Sequence, residues 1–366
     1  MTMPARSARP PLGRMLPLAA AALLAAGAAS ARGAEAPRGV PLRPAHTYSI
    51  VARDPVTGDL GVAVQSHWFS VGGSVTWAEA GVGAVATQSF VEPAYGPRGL
   101  ELMRGGVAAP DALARLVAAD PHPEVRQVAM VDAQGRVAAH TGKGCIPAAG
   151  QQVGKGFSVQ ANLMLDASVW PAMAKAFEST SGDLAERMLA ALEAAEAQGG
   201  DLRGRQSAAL LIVKGTRSDK PWADRLFDLR VEDHPRPLVE LRRLVRLARA
   251  YRVMTEGDDA VAAGKLDDAL RLYSAAEEME PDNHEFVFWH AVGLASTGRV
   301  EESLPVFRRA FLAHPAWVLL IPRLAAVGLL PADEGAIRKI VASGPTPTGV
   351  EKPPATDPPP GAPPHR

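Results

Sequence analysis

The sequence predicts a layered α+β domain followed by an all-helical repeat domain, on three observations. Strand-like runs arrive in groups separated by pairs of helical runs. From Leu238 onward only helical periodicity remains. Within that second region two stretches align with each other at a spacing of 34 residues. Alternating groups of strands and helices argue against βαβ winding and for sheets packed together with helices outside them. The length of 366 residues suits two domains, and 47% hydrophobic residues supply their cores. Lys+Arg and Asp+Glu both number 39. A balanced chain gives no general case for nucleic acid or an anionic membrane surface as partner.

The first residues read as an export signal. Arg6, Arg9 and Arg14 precede the apolar run "MLPLAAAALLAAGAA", and Ala29-Ser30-Ala31 offers a small-x-small cleavage site. The run is too short and too alanine-rich for a stable membrane span. Residues 1–31 are therefore expected to be a signal peptide, and the chain a periplasmic or secreted bacterial protein. Residues 32–45 are Pro-rich and basic, a pro-segment or linker. Cys145 stands alone, so no intramolecular disulfide forms and packing alone holds the fold.

Strands follow. "HTYSIVAR" and "LGVAVQS" flank a turn "DPVTGD" that carries Pro and Gly. "SVTWAEAG" and "VGAVATQSF" predict two more strands. "GPRGLELMRGG" and "APDALARLVAAD" have helical periodicity, the second starting behind Pro110 and Asp111. "RQVAMVD" and "RVAAHTG" form a hairpin around a Gly-containing turn, and "GFSVQANLML" a further strand. Two helices come next; in the second, Leu184, Met188, Leu192 and Ala195 share a face. "QSAALLIVKG" and "FDLRV" close the set as strands.

In the helical region, "GKLDDALRLYSAAEEMEP" aligns with "GRVEESLPVFRRAFLAHP". Gly264 matches Gly298, Leu270 matches Leu304, Tyr273 matches Phe307 and Pro281 matches Pro315. That spacing is the tetratricopeptide period, and stacked helix pairs of this kind invite a protein partner. Leu238–Met254 is expected to cap the stack. The Pro-rich end is expected to be a disordered tail over 336–366.

The blocks "TYSIVARDPVTGDLGVAVQS", "WAEAGVGAVATQSFVEPAYGPRGLELM", "GKGCIPAAG", "GGDLRGRQSAALLIV" and "FDLRVEDHPRPLVELR" occur in order. Together they resemble the bacterial domain-of-unknown-function family numbered 1028, over roughly His46 to Arg249. That family looks similar in fold to the N-terminal nucleophile hydrolases, which implies a four-layer αββα sandwich over 46–249, ahead of helical repeats over 250–335. It also implies a Thr, Ser or Cys nucleophile at the start of the first strand. The resemblance carries no particular reaction with it.

Thr47 holds that position. A threonine hydroxyl needs a base, and the α-amine of a chain beginning at Thr47, with a pKa near ~7.7–8.0, would serve. That requires a second cleavage, between His46 and Thr47. Ser49, two residues on, points the same way and is a rival. The other candidates come from strand ends and loops expected near Thr47. Ser66 is the orienting hydroxyl, and Asn162 the donor to a developing oxyanion. Asp201 belongs to a charged loop closing the pocket. Gln65, Gln88, Arg203 and Gln206 are expected to contact substrate. The expected activity is cleavage of a small-molecule or peptide amide, with no cofactor and no metal, the spacings of His46, His67, His122 and His140 fitting no metal site. Hydrolases of this fold often pair, so a homodimer is a further expectation. Two alternatives stand beside this reading. One is a non-catalytic scaffold of the cell envelope in which the repeats do the binding; His46, where self-cleaving families often place a small residue, favours it. The other is a hydrolase using Ser66 or Cys145 without a second cleavage.

Overall fold

The structure is a computed structural model, and it describes residues 47–345. The expected signal peptide, the linker and residues 346–366 of the expected tail lie outside the described residues.

Strands β1 (Thr47–Arg53) and β2 (Leu60–Ser66) form the predicted hairpin, with Asp54 accepting hydrogen bonds from the Val56 and Thr57 amides at 2.8 and 3.0 Å. The run expected as one strand after it divides into a helical turn α1 (Gly72–Val75) and a short strand β3 (Thr76–Glu79), followed by β4 (Gly83–Ser89). Helices α2 (Tyr95–Arg104) and α3 (Ala109–Ala119) come next, then β5 (Arg126–Asp132) and β6 (Val137–Thr141). Strand β7 (Gly150–Gly154) was not foreseen, because "GQQVG" carries neither apolar alternation nor β-branched density. It pairs with β8 (Phe157–Ala161) at a sheet edge, where a strand with little to bury still satisfies its backbone. Helices α4 (Val169–Ser179) and α5 (Leu184–Ala197) and strands β9 (Ser207–Val213) and β10 (Arg225–Val231) complete the α+β part.

Two antiparallel sheets result. One has the order β10-β9-β2-β1-β8-β7, the other β3-β4-β5-β6. The two-residue strand period sorts the side chains into separate cores. Tyr48, Ile50 and Ala52 of β1 pack with Met173 and Phe177 of α4 and Met188 and Leu192 of α5. Val51, Leu60, Val62 and Val64 share a core with Ala84, Ala86, Ala129 and Val131 of the smaller sheet. The far face of that sheet, with Val85, Val128 and Met130, meets Leu100 and Met103 of α2 and Leu113 and Leu116 of α3.

Helix α6 (Pro237–Ala262) is 26 residues long. Leu238, Leu241 and Val245 belong to the core under α4 and α5, whereas Ala250 and Met254 pack with Ala269, Tyr273 and Ala276. The expected domain boundary at 249/250 thus falls inside one continuous helix. The segment expected to cap the repeats is instead the first partner of α7 (Leu266–Met279). Helices α8 (His284–Ser296) and α9 (Val300–Ala313) form the second pair. Gly264 and Gly298, matched in the sequence, have φ of 71° and 85° at the turns into α7 and α9, a backbone that glycine adopts without a Cβ penalty. Short helices α10 (Ile321–Ala326) and α11 (Glu334–Ala342) follow, and Ile340 of α11 is buried in the second repeat's core. The stretch expected as tail from 336 therefore begins as helix. Its i, i+4 pair Ala336 and Ile340 is the signal the Pro-rich remainder hid.

Tyr273 lies between two glycines: a Cβ on Gly257 would stand 2.8 Å from its ring, and one on Gly293 2.7 Å from it. Its hydroxyl donates to Asp258 at 2.7 Å. Gly293→Val is expected to cost about 1–3 kcal/mol by overpacking against a ring that has nowhere to go. A thermal melt followed by far-UV circular dichroism checks this, and an unchanged midpoint would show that the helix pair opens freely.

Candidate active site at the head of the first strand

Antiparallel register sets Thr47 opposite Ser66, and both side chains are buried between the two sheets. Thr47 Oγ1 donates to Ser66 Oγ at 3.3 Å. The Thr47 carbonyl accepts two hydrogen bonds, from the Asn162 backbone N–H at 3.1 Å and from Gln88 Nε2 at 3.2 Å. Asn162 follows the last residue of β8, and Gln88 reaches across from β4 of the other sheet.

Behind Thr47 the inter-sheet space turns polar. Gln127 Oε1 accepts from Gln88 Nε2 at 2.7 Å and from Asn162 Nδ2 at 2.8 Å. Gln127 Nε2 faces Thr141 Oγ1 and the carbonyls of Gly150 and Ala161 at 2.9, 3.2 and 2.9 Å. Ser49 Oγ donates to Gln88 Oε1 at 2.6 Å and accepts from Gln160 Nε2 at 2.6 Å, while Gln160 Oε1 accepts from Ser158 Oγ at 3.0 Å. Ser49, Gln88, Gln127, Ser158, Gln160 and Asn162 are all fully buried. The network explains how so much polar surface sits between two sheets: the Gln88, Gln127 and Gln160 amides each have oxygen and nitrogen engaged. These groups hold and orient without titrating near neutrality.

The structure brings Thr47, Ser66, Asn162 and Gln88 together. Gln65 it does not. That residue pairs with Tyr48, and both face the helices rather than the second sheet, where neither Gln65 amide atom meets a hydrogen-bond partner among the described residues. Strand alternation is the reason: Gln65 and Ser66 are neighbours in sequence and lie on opposite faces. Next to Gln65, burial and then the Glu196 carboxylate, which accepts from its hydroxyl at 2.7 Å, push the Tyr48 phenol well above its ordinary value. Asp201 acts as a knot between loops. It bridges to Met164, accepts the His67 N–H on Oδ2 at 3.0 Å, and engages the Arg203 guanidinium at 2.7 Å. Arg203 is held on that carboxylate, and Gln206 gives its backbone N–H to the Ser66 carbonyl at 3.2 Å, fixing the strand end from behind. Cys145 is buried, its thiol donates to the Arg126 carbonyl at 3.3 Å, and burial pushes that thiol's pKa up.

Sequence reasoning missed Gln127 and Gln160. The available signal was a glutamine inside each of two apolar strand runs, "RQVAMVD" and "FSVQA", on the face whose other members are small or apolar. Among the described residues no cluster of three or more His, Cys, Asp or Glu side chains is placed to hold a metal, and no helix is long and apolar enough to cross a membrane.

Residues 47–241 match the family of unknown function DUF1028, starting at the threonine that heads β1. The chain belongs to that family. A tetratricopeptide repeat match covers residues 254–315, so the DUF1028 domain is followed by a repeat region. Among solved structures the chain is similar to the crystal structure of the DUF1028 protein SPO2555 from Silicibacter pomeroyi. The two are 31% identical with a TM-score of 0.50, over 56% of this chain and 89% of that one. No curated protein matches the chain.

Proposed function

We propose that this DUF1028 domain is an exported amide hydrolase of the N-terminal nucleophile type, with Thr47 as nucleophile. The layering of helices, sheet, sheet and helices supports reading the domain as the four-layer αββα sandwich of those enzymes. The observation that carries the proposal is the seating of Thr47: first residue of a central strand, hydroxyl 3.3 Å from Ser66 Oγ, carbonyl held by the Asn162 N–H just past β8 and by the Gln88 side chain of β4. Hydroxyls and amides surround it, so the proton acceptor is the amine of Thr47 itself. In the first step Thr47 Oγ attacks the carbonyl carbon of His46. The C–N bond breaks and the hydroxyl proton passes to the departing nitrogen, which becomes the free amine of Thr47; water then hydrolyses the ester, releasing the His46 carboxylate and restoring the Thr47 hydroxyl. In turnover that amine takes the Oγ proton as Oγ attacks the substrate carbonyl and returns it to the leaving amine. Asn162 and Ser66 orient the reacting groups. The raised thiol pKa of Cys145 and its bond to a backbone carbonyl speak against a cysteine nucleophile. The repeats are proposed to bind a protein partner.

Intact mass and N-terminal sequencing of the exported protein test this, beside Thr47→Ala. The expected result is a wild-type chain beginning at Thr47 and a variant that keeps residues 32–46. Two chains that both begin near Arg32 would overturn the nucleophile assignment and leave a binding scaffold.

A further inference from the structure

Cutting the chain before Thr47 would turn the head of a central strand into a terminus. Termini fray unless they are tied down, and a frayed nucleophile loses the orientation that catalysis needs. The side chain of Gln88 supplies a tie that the β-ladder does not. It comes from the opposite sheet, and its Nε2 stands 3.2 Å from the Thr47 carbonyl, 3.3 Å from the Gln160 carbonyl and 2.7 Å from Gln127 Oε1. Its own rotamer is fixed from the other side, where Ser49 Oγ donates to Oε1 at 2.6 Å. Gln127 shares its one acceptor oxygen between Gln88 and Asn162, so the same atom sets the direction of the Asn162 amide. Asn162 in turn gives its backbone N–H to the Thr47 carbonyl.

Resting on the reading of Thr47 as nucleophile, we infer that Gln88 and Gln127 are positioning residues: a cross-sheet amide clamp that holds Thr47 and Asn162 in register, both while the His46–Thr47 bond is attacked and after the new terminus forms. The clamp is built from groups that keep one protonation state, so its grip does not change with pH. It lies on the buried side of Thr47 with no atom offered to solvent.

The test compares full-length wild type, Gln88→Met and Tyr48→Phe for the rate at which chains beginning at Thr47 appear, read by intact mass. Met fills the volume of Gln and removes every hydrogen bond. Tyr48 is the next residue of the same strand but faces the helices, so Tyr48→Phe reports the effect of a lost buried hydrogen bond that does not touch Thr47. Gln88→Met is expected to slow cleavage about a hundredfold while its circular dichroism stays that of the folded protein. Tyr48→Phe is expected to cleave at the wild-type rate. Where Gln88→Met fails to fold, Gln88→Glu replaces it: a protonated carboxyl retains one donor toward the Thr47 carbonyl and a carboxylate retains none. Its cleavage rate relative to wild type should then fall steeply from pH 5 to pH 8. A folded Gln88→Met cut as fast as wild type, or a Gln88→Glu whose relative rate ignores pH, overturns the clamp alone. A wild-type chain that is never cut before Thr47 overturns the nucleophile reading on which the clamp rests.

Discussion

Asp120→Ala is expected to destabilise the protein by about 3–5 kcal/mol, a large part of the ~5–15 kcal/mol that holds a typical domain folded. Asp120 caps the end of α3 and pairs with Arg126 at the start of β5, Nε to Oδ2 at 2.8 Å, with both side chains at most 6% exposed. The His122 N–H and the Tyr95 hydroxyl occupy the carboxylate's other positions at 2.8 and 2.9 Å. Truncation leaves the Arg126 guanidinium buried against the Phe90 carbonyl, to which it donates at 2.6 Å, with no counter-charge. Burial alone would raise the Asp120 carboxyl. The hydrogen bonds from Arg126, His122 and Tyr95 outweigh it and hold the group below the usual carboxylate range. A carboxyl depressed in the folded state adds stability that is fully present above its unfolded pKa, ~3.9, and is lost as pH falls through the lower folded value. The gap between wild type and variant should therefore be widest near neutrality and should close in acid below about pH 3.9. Urea unfolding at pH 7 and at pH 3 measures both. A neutral-pH gap under about 1 kcal/mol would mean that the pair is no more than a surface ion pair in effect.

The two halves of the chain were legible to different degrees, for physical reasons. Strands with a clear apolar face, such as "TYSIVAR" and "SAALLIV", declare themselves because one side must be buried. Strand β7 does not, because an edge strand of glycine and glutamine buries little and is fixed by its ladder to β8. The repeat was visible because Gly264 and Gly298 recur where a positive φ is demanded. Helix α6 was not legible as one element because a 26-residue helix changes the face it buries half-way along. Its first half serves the sheet and its second half the repeats, so no single periodicity spans it. At the site, Thr47 came from what the family resemblance implies for the head of the first strand, and Ser66 from the hairpin that sets it opposite. Gln65 was misplaced by one residue's alternation. Gln127 and Gln160 were passed over because a glutamine in an apolar strand looks like an outward-facing position until the second sheet is seen to cover it.

Gln127 carries the second large effect. Gln127→Leu is expected to destabilise by about 3–5 kcal/mol, since orphaned buried polar groups cost ~1–3 kcal/mol each. The change removes the acceptor shared by Gln88 and Asn162 and the donor that faces Thr141 Oγ1, Gly150 O and Ala161 O. Gln127→Glu separates the two losses. Its Oε1 still accepts from Gln88 and Asn162, but its second oxygen now faces three acceptors. A carboxylate there is repelled by the carbonyls and stripped of water, so the folded state keeps the group protonated and raises its pKa above the unfolded ~4.3. The neutral form returns one donor. The sign follows: below about pH 4.3 the variant loses little relative to wild type, because the group is neutral in both states. As pH rises, the unfolded chain releases the proton first, and stability falls until the folded state releases it too. Gln127→Glu should thus be markedly more stable at pH 4 than at pH 8 against wild type, while Gln127→Leu should show no such slope. Parallel slopes for the two variants in denaturant titrations across that range would mean that the amide's donor side carries no weight and that the network is held by its acceptor alone.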